Sequence, residues 1–110
     1  MPRPTLHGEV LWASVDKRRP VVIVSRDDVQ GTRMRATVAT ITTRIRSIPS
    51  EVRLGPGDGL PEASVVNCDE LSTLDKVRLG ERIARLSGSK MEELHRALAF
   101  ALALPTGGHR

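Results

Sequence analysis

The apolar positions of this 110-residue chain fall mostly in short alternating or β-branched runs, and patterning of that kind predicts strands. A first strand begins at Gly8, with Val10, Trp12 and Ser14 on one side of the pleat. A tight connection around Asp16-Lys17-Arg18 folds it into a hairpin with the run Val21 to Val24. Pro20 opens that second strand, where its missing N–H is tolerated. Asp27 to Gly31 reads as a loop, with Asp27-Asp28 in a solvated turn. Arg35 to Thr43 forms the next strand, and neither of its faces is cleanly polar. Ser47 to Pro49 breaks it, Glu51 to Leu54 is a brief strand with strict alternation, and Gly55-Pro56-Gly57-Asp58-Gly59 is the clearest loop. Ser64 to Leu71 is another strand, Ser72 to Arg78 a turn or a single helical turn, and Glu81 to Leu86 a last short strand.

One helix closes the chain. Ser89 and Glu92 have the spacing of a capping box. Met91, Leu94, Leu98, Ala101 and Leu102 then form one apolar stripe, which Pro105 and Gly107-Gly108 end. Residues 1–7 carry two prolines and no period, and are expected as a flexible arm. Residues 8–105 are expected as a single domain and 106–110 as a tail. Short strands with one closing helix predict a mostly β fold of the β-rich α+β class, a small barrel with the helix over one opening or edge of the sheet.

Charge changes this picture more than composition does. Seventeen basic against thirteen acidic residues give a net +4, which favours polyanionic partners, nucleic acid above all. Fourteen of the basic residues are Arg, whose forked head suits phosphate and base edges. Codon usage accounts for much of that ratio, so placement matters more than number. The interval between Asp28 and Glu51 holds Arg33, Arg35, Arg44 and Arg46 and no acid. Arg44 and Arg46, two residues apart at a strand end, would point the same way and grip successive phosphates; a solvated strand end is the competing interpretation. Trp12 and Phe100 are the only aromatics, so a stacking platform for bases is nearly absent.

Several chemistries are poorly supported. His7, His95 and His109 are scattered without ligand spacing, and there is no phosphate-binding loop or dinucleotide fingerprint. Neither a metal nor a cofactor is expected. Cys68 is alone, so no intramolecular disulfide forms and a reducing cytoplasm fits; it reads as a strand residue. No apolar run reaches membrane-spanning length, and the first residues lack a signal-peptide core. The expected location is the cytoplasm, with no membrane partner.

The sharpest candidate is Arg18-Arg19-Pro20 running into Val21-Val22-Ile23-Val24-Ser25. An arginine there has a base anchored by the strand and a free head, an arrangement that holds a cation where negative charge appears. Together with Gly8-Glu9-Val10 and Trp12, Ile41-Thr42-Thr43-Arg44, Gly59-Leu60, Ser64-Val65-Val66, and Leu71 to Leu79, this stretch resembles the MazF/PemK family of toxin ribonucleases over about residues 8–105. The resemblance implies an SH3-like barrel that forms a homodimer. It also implies a toxin of a type II toxin–antitoxin system that cuts single-stranded RNA without metal, by attack of the substrate's own 2′-hydroxyl. It carries catalysis onto Arg19 and Thr42, with Thr43 and Thr40 as competing hydroxyls. RNA contacts are expected at Arg18, Thr43, Arg44, Arg46 and Ser64. The implied partner besides RNA is an antitoxin whose acidic C-terminal segment occupies the basic groove. A gyrase-inhibiting toxin of the same barrel type and a non-catalytic RNA binder are the alternatives. The chain departs from the family pattern in its short first loop, Ala13 to Lys17, and in Asp69-Glu70-Leu71-Ser72-Thr73, where an acid replaces an amide and a serine replaces a cation.

Overall fold

A computed structural model describes residues 3–105. It is mostly β with one C-terminal helix. Six strands are followed by that helix: β1 (Glu9–Ser14), β2 (Arg18–Ile23), β3 (Arg35–Thr42), β4 (Glu51–Leu54), β5 (Ser64–Asp75), β6 (Leu79–Arg85) and α1 (Gly88–Ala101). All strand pairs are antiparallel, in the order β4-β5-β3-β2-β1-β6. The connectivity forces curvature. β5 and β6 stand four places apart, about 19 Å in a flat sheet, yet only the 3-10 turn Lys76–Arg78 joins them. Three linking residues cannot span that distance, so the sheet curls into a half-barrel.

Curling buries both faces of the central strands. Val10, Val22, Ala39, Ile41, Val66 and Cys68 pack with Leu94 and Ala97 of α1 on one side. Leu11, Val21, Ile23, Ala36 and Val38 pack with Leu79 on the other. Leu11 and Ala13 are therefore as buried as Val10, and only Trp12 and Ser14, toward the hairpin end of β1, keep some exposure. The same two-sided burial explains why β3 shows no clean polar face.

Several boundaries differ from the sequence expectation. β3 ends at Thr42 rather than Thr43, and Arg44 and Arg46 lie beyond it in a loop. The Thr42 hydroxyl accepts from the Arg44 N–H at 3.1 Å, and Glu51 accepts from the N–H groups of Arg46 and Ser47. Side chains there take the place of a strand ladder. β5 does not stop at Leu71. Its pairing with β3 jumps from Ala39↔Leu71 to Thr40↔Asn67, which leaves Cys68-Asp69-Glu70 as a bulge. Beyond it, Ser72 to Asp75 continue the ladder, with Thr73 bonded to Thr37 through their hydroxyls at 2.8 Å. The bulge breaks the alternation, so these polar residues read as a turn. The helix is capped by Ser87, whose side chain accepts from the Lys90 N–H, and not by Ser89. It ends one residue short of the expected stripe: Leu102 is its C-cap and is exposed.

Residues 3–7, expected as part of a flexible arm, lie against the domain. Thr5 bridges Asp28, and His7 meets His95 of α1 with Nε2 atoms 2.9 Å apart while its Nδ1 lies 3.1 Å from the Val24 carbonyl. Histidines 88 positions apart have no spacing a sequence could reveal. Residues 1–2 and the expected tail 106–110 fall outside the described residues. Asp28 is not in a solvated turn. It is buried and paired with the equally buried Lys76 at 2.6 Å. It also accepts the N–H groups of Thr32 and Arg33, while Lys76 donates to the Arg3 carbonyl. One ion pair thus joins the N-terminal segment, the β2–β3 loop and the β5–β6 turn.

The Lys76 ammonium and those N–H groups hold the Asp28 carboxyl well below its ordinary range. A depressed carboxyl stabilises the fold above its ordinary titration and loses that contribution as pH falls toward its folded value. Asp28→Asn should lower Tm at neutral pH by roughly 10 °C or more, because Lys76 is left buried and unpaired. It should also flatten the loss of Tm on acidification below pH ~4; parallel acid profiles for wild type and variant would exclude this pair as the source. Thermal melts should also separate the two serines: Ser87→Ala costs about 1 kcal/mol through the lost cap, and Ser89→Ala costs less.

Candidate catalytic cleft

Pro20 shapes the cleft. It has no N–H to give a ladder, and β2 pairs with β3 only from Val21, opposite Thr40, onward. Toward the strand end the two chains part. The register Val21↔Thr40, continued two residues, sets Arg19 opposite Thr42 across that gap. Both side chains border two adjoining hollows. One, about 280 Å³, is bounded by Trp12, Lys17, Pro20, Ile41, Thr43, Leu60, Pro61, Glu62 and Ser64. The other, about 180 Å³, is bounded by Arg44, Arg46, Asn67 and Glu70.

Arg19 is clamped at Nη2 and buried at Nε. Its Nη2 lies 3.1 and 3.2 Å from the two Asp16 carboxylate oxygens, while Nε is buried with no hydrogen-bond partner. Asp16 is kept charged: N–H groups of its own backbone and of Lys17 lower its carboxyl first, and the Arg19 and Lys17 charges add to this. A buried N–H without a partner is costly, and this one is closed to solvent, so the Arg19 side chain must shift before an anion can accept from it. Thr42 is poised in a complementary way. Its oxygen accepts from Arg44, which leaves its O–H hydrogen free to donate.

The remaining predicted residues sort by position. Thr43 is exposed on the larger hollow; Arg44 and Arg46 share the smaller one with Arg19, so three guanidiniums converge there with Glu70 as the neighbouring carboxylate. Arg44 and Arg46 meet through the loop and not through a strand face. Arg18 lines neither hollow; its guanidinium carbon lies 4.3 Å from the Trp12 ring centroid. Ser64 is buried, and its hydroxyl donates to the Glu62 carbonyl at 2.7 Å, so it forms wall rather than rim.

Trp12, Lys17, Leu60, Pro61, Glu62, Asn67 and Glu70 also line the cleft and were not assigned to the site from sequence, although Trp12, Leu60 and Glu70 lie in the stretches compared with the family. The loop to Leu60 and the β5 bulge bring most of them in. Among the described residues no cluster of three or more His, Cys, Asp or Glu could hold a metal ion. Cys68 lies behind the cleft in the core. Burial, and secondarily the Asp69 charge, push its thiol up to about 12. It should stay unmodified by a thiol reagent in the native protein at pH 8 and react fully once denatured; native-state labelling would contradict this burial.

A family model described as the PemK-like, MazF-like toxin of type II toxin–antitoxin systems matches residues 7–102. A Mycobacterium tuberculosis protein named probable endoribonuclease MazF5 is 41% identical over 98 residues, covering 86% of this chain and 90% of its own length. Among solved structures, the M. tuberculosis toxin MazF-mt6 superposes with a TM-score of 0.84 at 36% identity, over 88% of this chain and 98% of its own. A mycobacterial endoribonuclease solved in complex with its cognate antitoxin gives 0.83 at 32% identity, over 94% and 99%.

Proposed function

The chain belongs to the PemK-like, MazF-like family of type II toxin–antitoxin toxins, and on that footing we propose how its cleft works. It is an endoribonuclease whose partners are RNA and a cognate antitoxin. The substrate is single-stranded RNA, cut at short sequences. The 2′-oxygen next to the scissile phosphate bonds to phosphorus, and the bond from phosphorus to the 5′-oxygen breaks. The proton lost by the 2′-oxygen is balanced by the one gained at the 5′-oxygen. The products are a 2′,3′-cyclic phosphate and a free 5′-hydroxyl. An internal nucleophile needs no activated water, so the protein's task is to stabilise charge on the phosphorane and the leaving oxygen.

Arg19 does this as a cation held in place by Asp16, and Thr42 donates to a non-bridging oxygen. Arg44, Arg46 and Thr43 hold the flanking backbone, with Arg18 packed on Trp12 and Ser64 shaping the wall. The observation that carries this reading is that Arg19 and Thr42 border the same two hollows, beside two further arginines. The acidic C-terminal segment of the antitoxin occupies the arginine-lined hollow, as charge complementarity requires. Residues 8–105 act as one domain in a homodimer. Among the described residues no helix is long and apolar enough to cross a membrane, and the cytoplasm, where Cys68 stays reduced and RNA is at hand, is the proposed place of action.

RNA incubated with purified protein in EDTA should be cut to fragments with cyclic-phosphate and 5′-hydroxyl ends. Arg19→Ala should lower kcat by ~10²–10³, and Thr42→Val should lower it as well. Arg44→Ala and Arg46→Ala should act mainly on KM and make binding less salt-dependent. Cleavage abolished by EDTA, or unchanged in Arg19→Ala, would falsify the mechanism.

A further inference from the structure

Trp12 is the only tryptophan in a chain without tyrosine, and neither core cluster includes it. It sits in β1 directly opposite Pro20 and remains half-exposed. The Arg18 guanidinium lies against its ring. Trp12 lines the larger hollow, the one that Arg19 and Thr42 also line. Beneath it β6 passes at Gly80, where an added Cβ would come within 3.4 Å of the Trp12 Cβ and backbone, so the strand that carries the ring is closely backed.

The rest of that hollow suits a flat, apolar body with a polar edge. Pro20, Leu60 and Pro61 supply apolar walls, and Lys17 and Glu62 stand at an exposed rim. At about 280 Å³ it lies near the lower end of the range for small-molecule sites. A packing-only role would leave the accessible part of Trp12 and the adjoining space without use. An aromatic ring braced by a cation and facing a cleft that holds phosphate-binding groups is instead a stacking surface for a base.

We propose that Trp12 is the seat on which one nucleobase of the RNA stacks, beside the phosphate held by Arg19 and Thr42. This deepens the endoribonuclease reading and rests on it. Arg18 then serves the bound RNA through the ring rather than through a phosphate. Stacking engages any base by its face, so Trp12 supplies affinity and placement, while the polar rim is left to discriminate between base edges.

The lone tryptophan makes the test direct, since its emission reports this one position. The probe is a fluorescein-labelled single-stranded oligoribonucleotide of mixed sequence, 2′-O-methylated throughout so that it has no attacking hydroxyl. Binding is followed by the anisotropy of the label and by Trp12 emission with the unlabelled oligomer. Emission should be quenched with the same midpoint as the anisotropy change, and an oligomer of equal length made of abasic units should bind without quenching. Trp12→Phe should keep most of the affinity and Trp12→Ala should weaken it roughly 10- to 100-fold, with circular dichroism verifying the fold. Binding without any change in emission overturns the proposal and leaves the nuclease reading intact, because that emission experiment needs no variant. Quenching by the bare abasic strand equal to that by the full oligomer overturns it as well. No binding of any oligomer overturns both readings, and loss of RNA cleavage alone bears only on the reaction.

Discussion

The parting of β2 from β3 at Pro20 is the constraint on which the functional architecture depends. An antiparallel ladder that continued to the hairpin end would bring the two strands together through Arg19 and Thr42. Pro20 cannot donate to a ladder, and pairing begins at Val21. The register is retained while the strands separate, so two side chains that would be ordinary cross-strand neighbours become the two sides of a cleft. A slip of one residue would turn each to the other face of the sheet. Core packing guards against that slip, because Val21 and Val22 are fully buried on opposite faces.

Curvature does the rest of the assembly. The three-residue link between β5 and β6 bends the sheet, and the Cys68–Glu70 bulge re-aims β5 so that Asn67 and Glu70 reach the second hollow. The Asp28–Lys76 pair holds the outer rim of that curve by tying three segments far apart in sequence. A buried ion pair is weak evidence of net stability against an apolar alternative. Its use here is to fix where those segments meet: a lysine ammonium satisfied by one carboxylate and one carbonyl has few other places to sit.

The cleft is cationic by convergence of Arg19, Arg44 and Arg46 rather than by a continuous charge run. Each head is restrained to a different degree. Arg19 is clamped by Asp16 and has a buried Nε, whereas Arg44 and Arg46 are exposed on a loop whose backbone is tied to Thr42 and Glu51. The first suits a site that must be preorganised for charge developing on one phosphate. The other two suit a backbone that approaches in many sequences. The short β1–β2 hairpin is what puts Asp16 within reach of Arg19, three residues on, so a truncated loop supplies the arginine's clamp.

Local pattern alone determined the strands at Val21–Ile23, Arg35–Thr42 and Glu51–Leu54 and the closing helix, because β-branched runs, alternation and helical stripes are short-range signals. The family resemblance, carried by residues in order along the chain, pointed to Arg19 and Thr42, while Arg44 and Arg46, expected at a strand end, lie in a loop. Tertiary structure decided what those signals could not carry. The alternation of β5 is interrupted by a bulge that only its partner strand defines, and the polar run Ser72–Asp75 is a strand only because β3 lies beside it. Asp28 looked like a turn residue until Lys76, 48 positions away, was folded onto it. His7 and His95 likewise had no common context before the arm met the helix. Trp12, Glu62, Asn67 and Glu70 became cleft residues for the same reason: membership of a concave site depends on which distant segments curl together, and a linear pattern holds no record of distance in space.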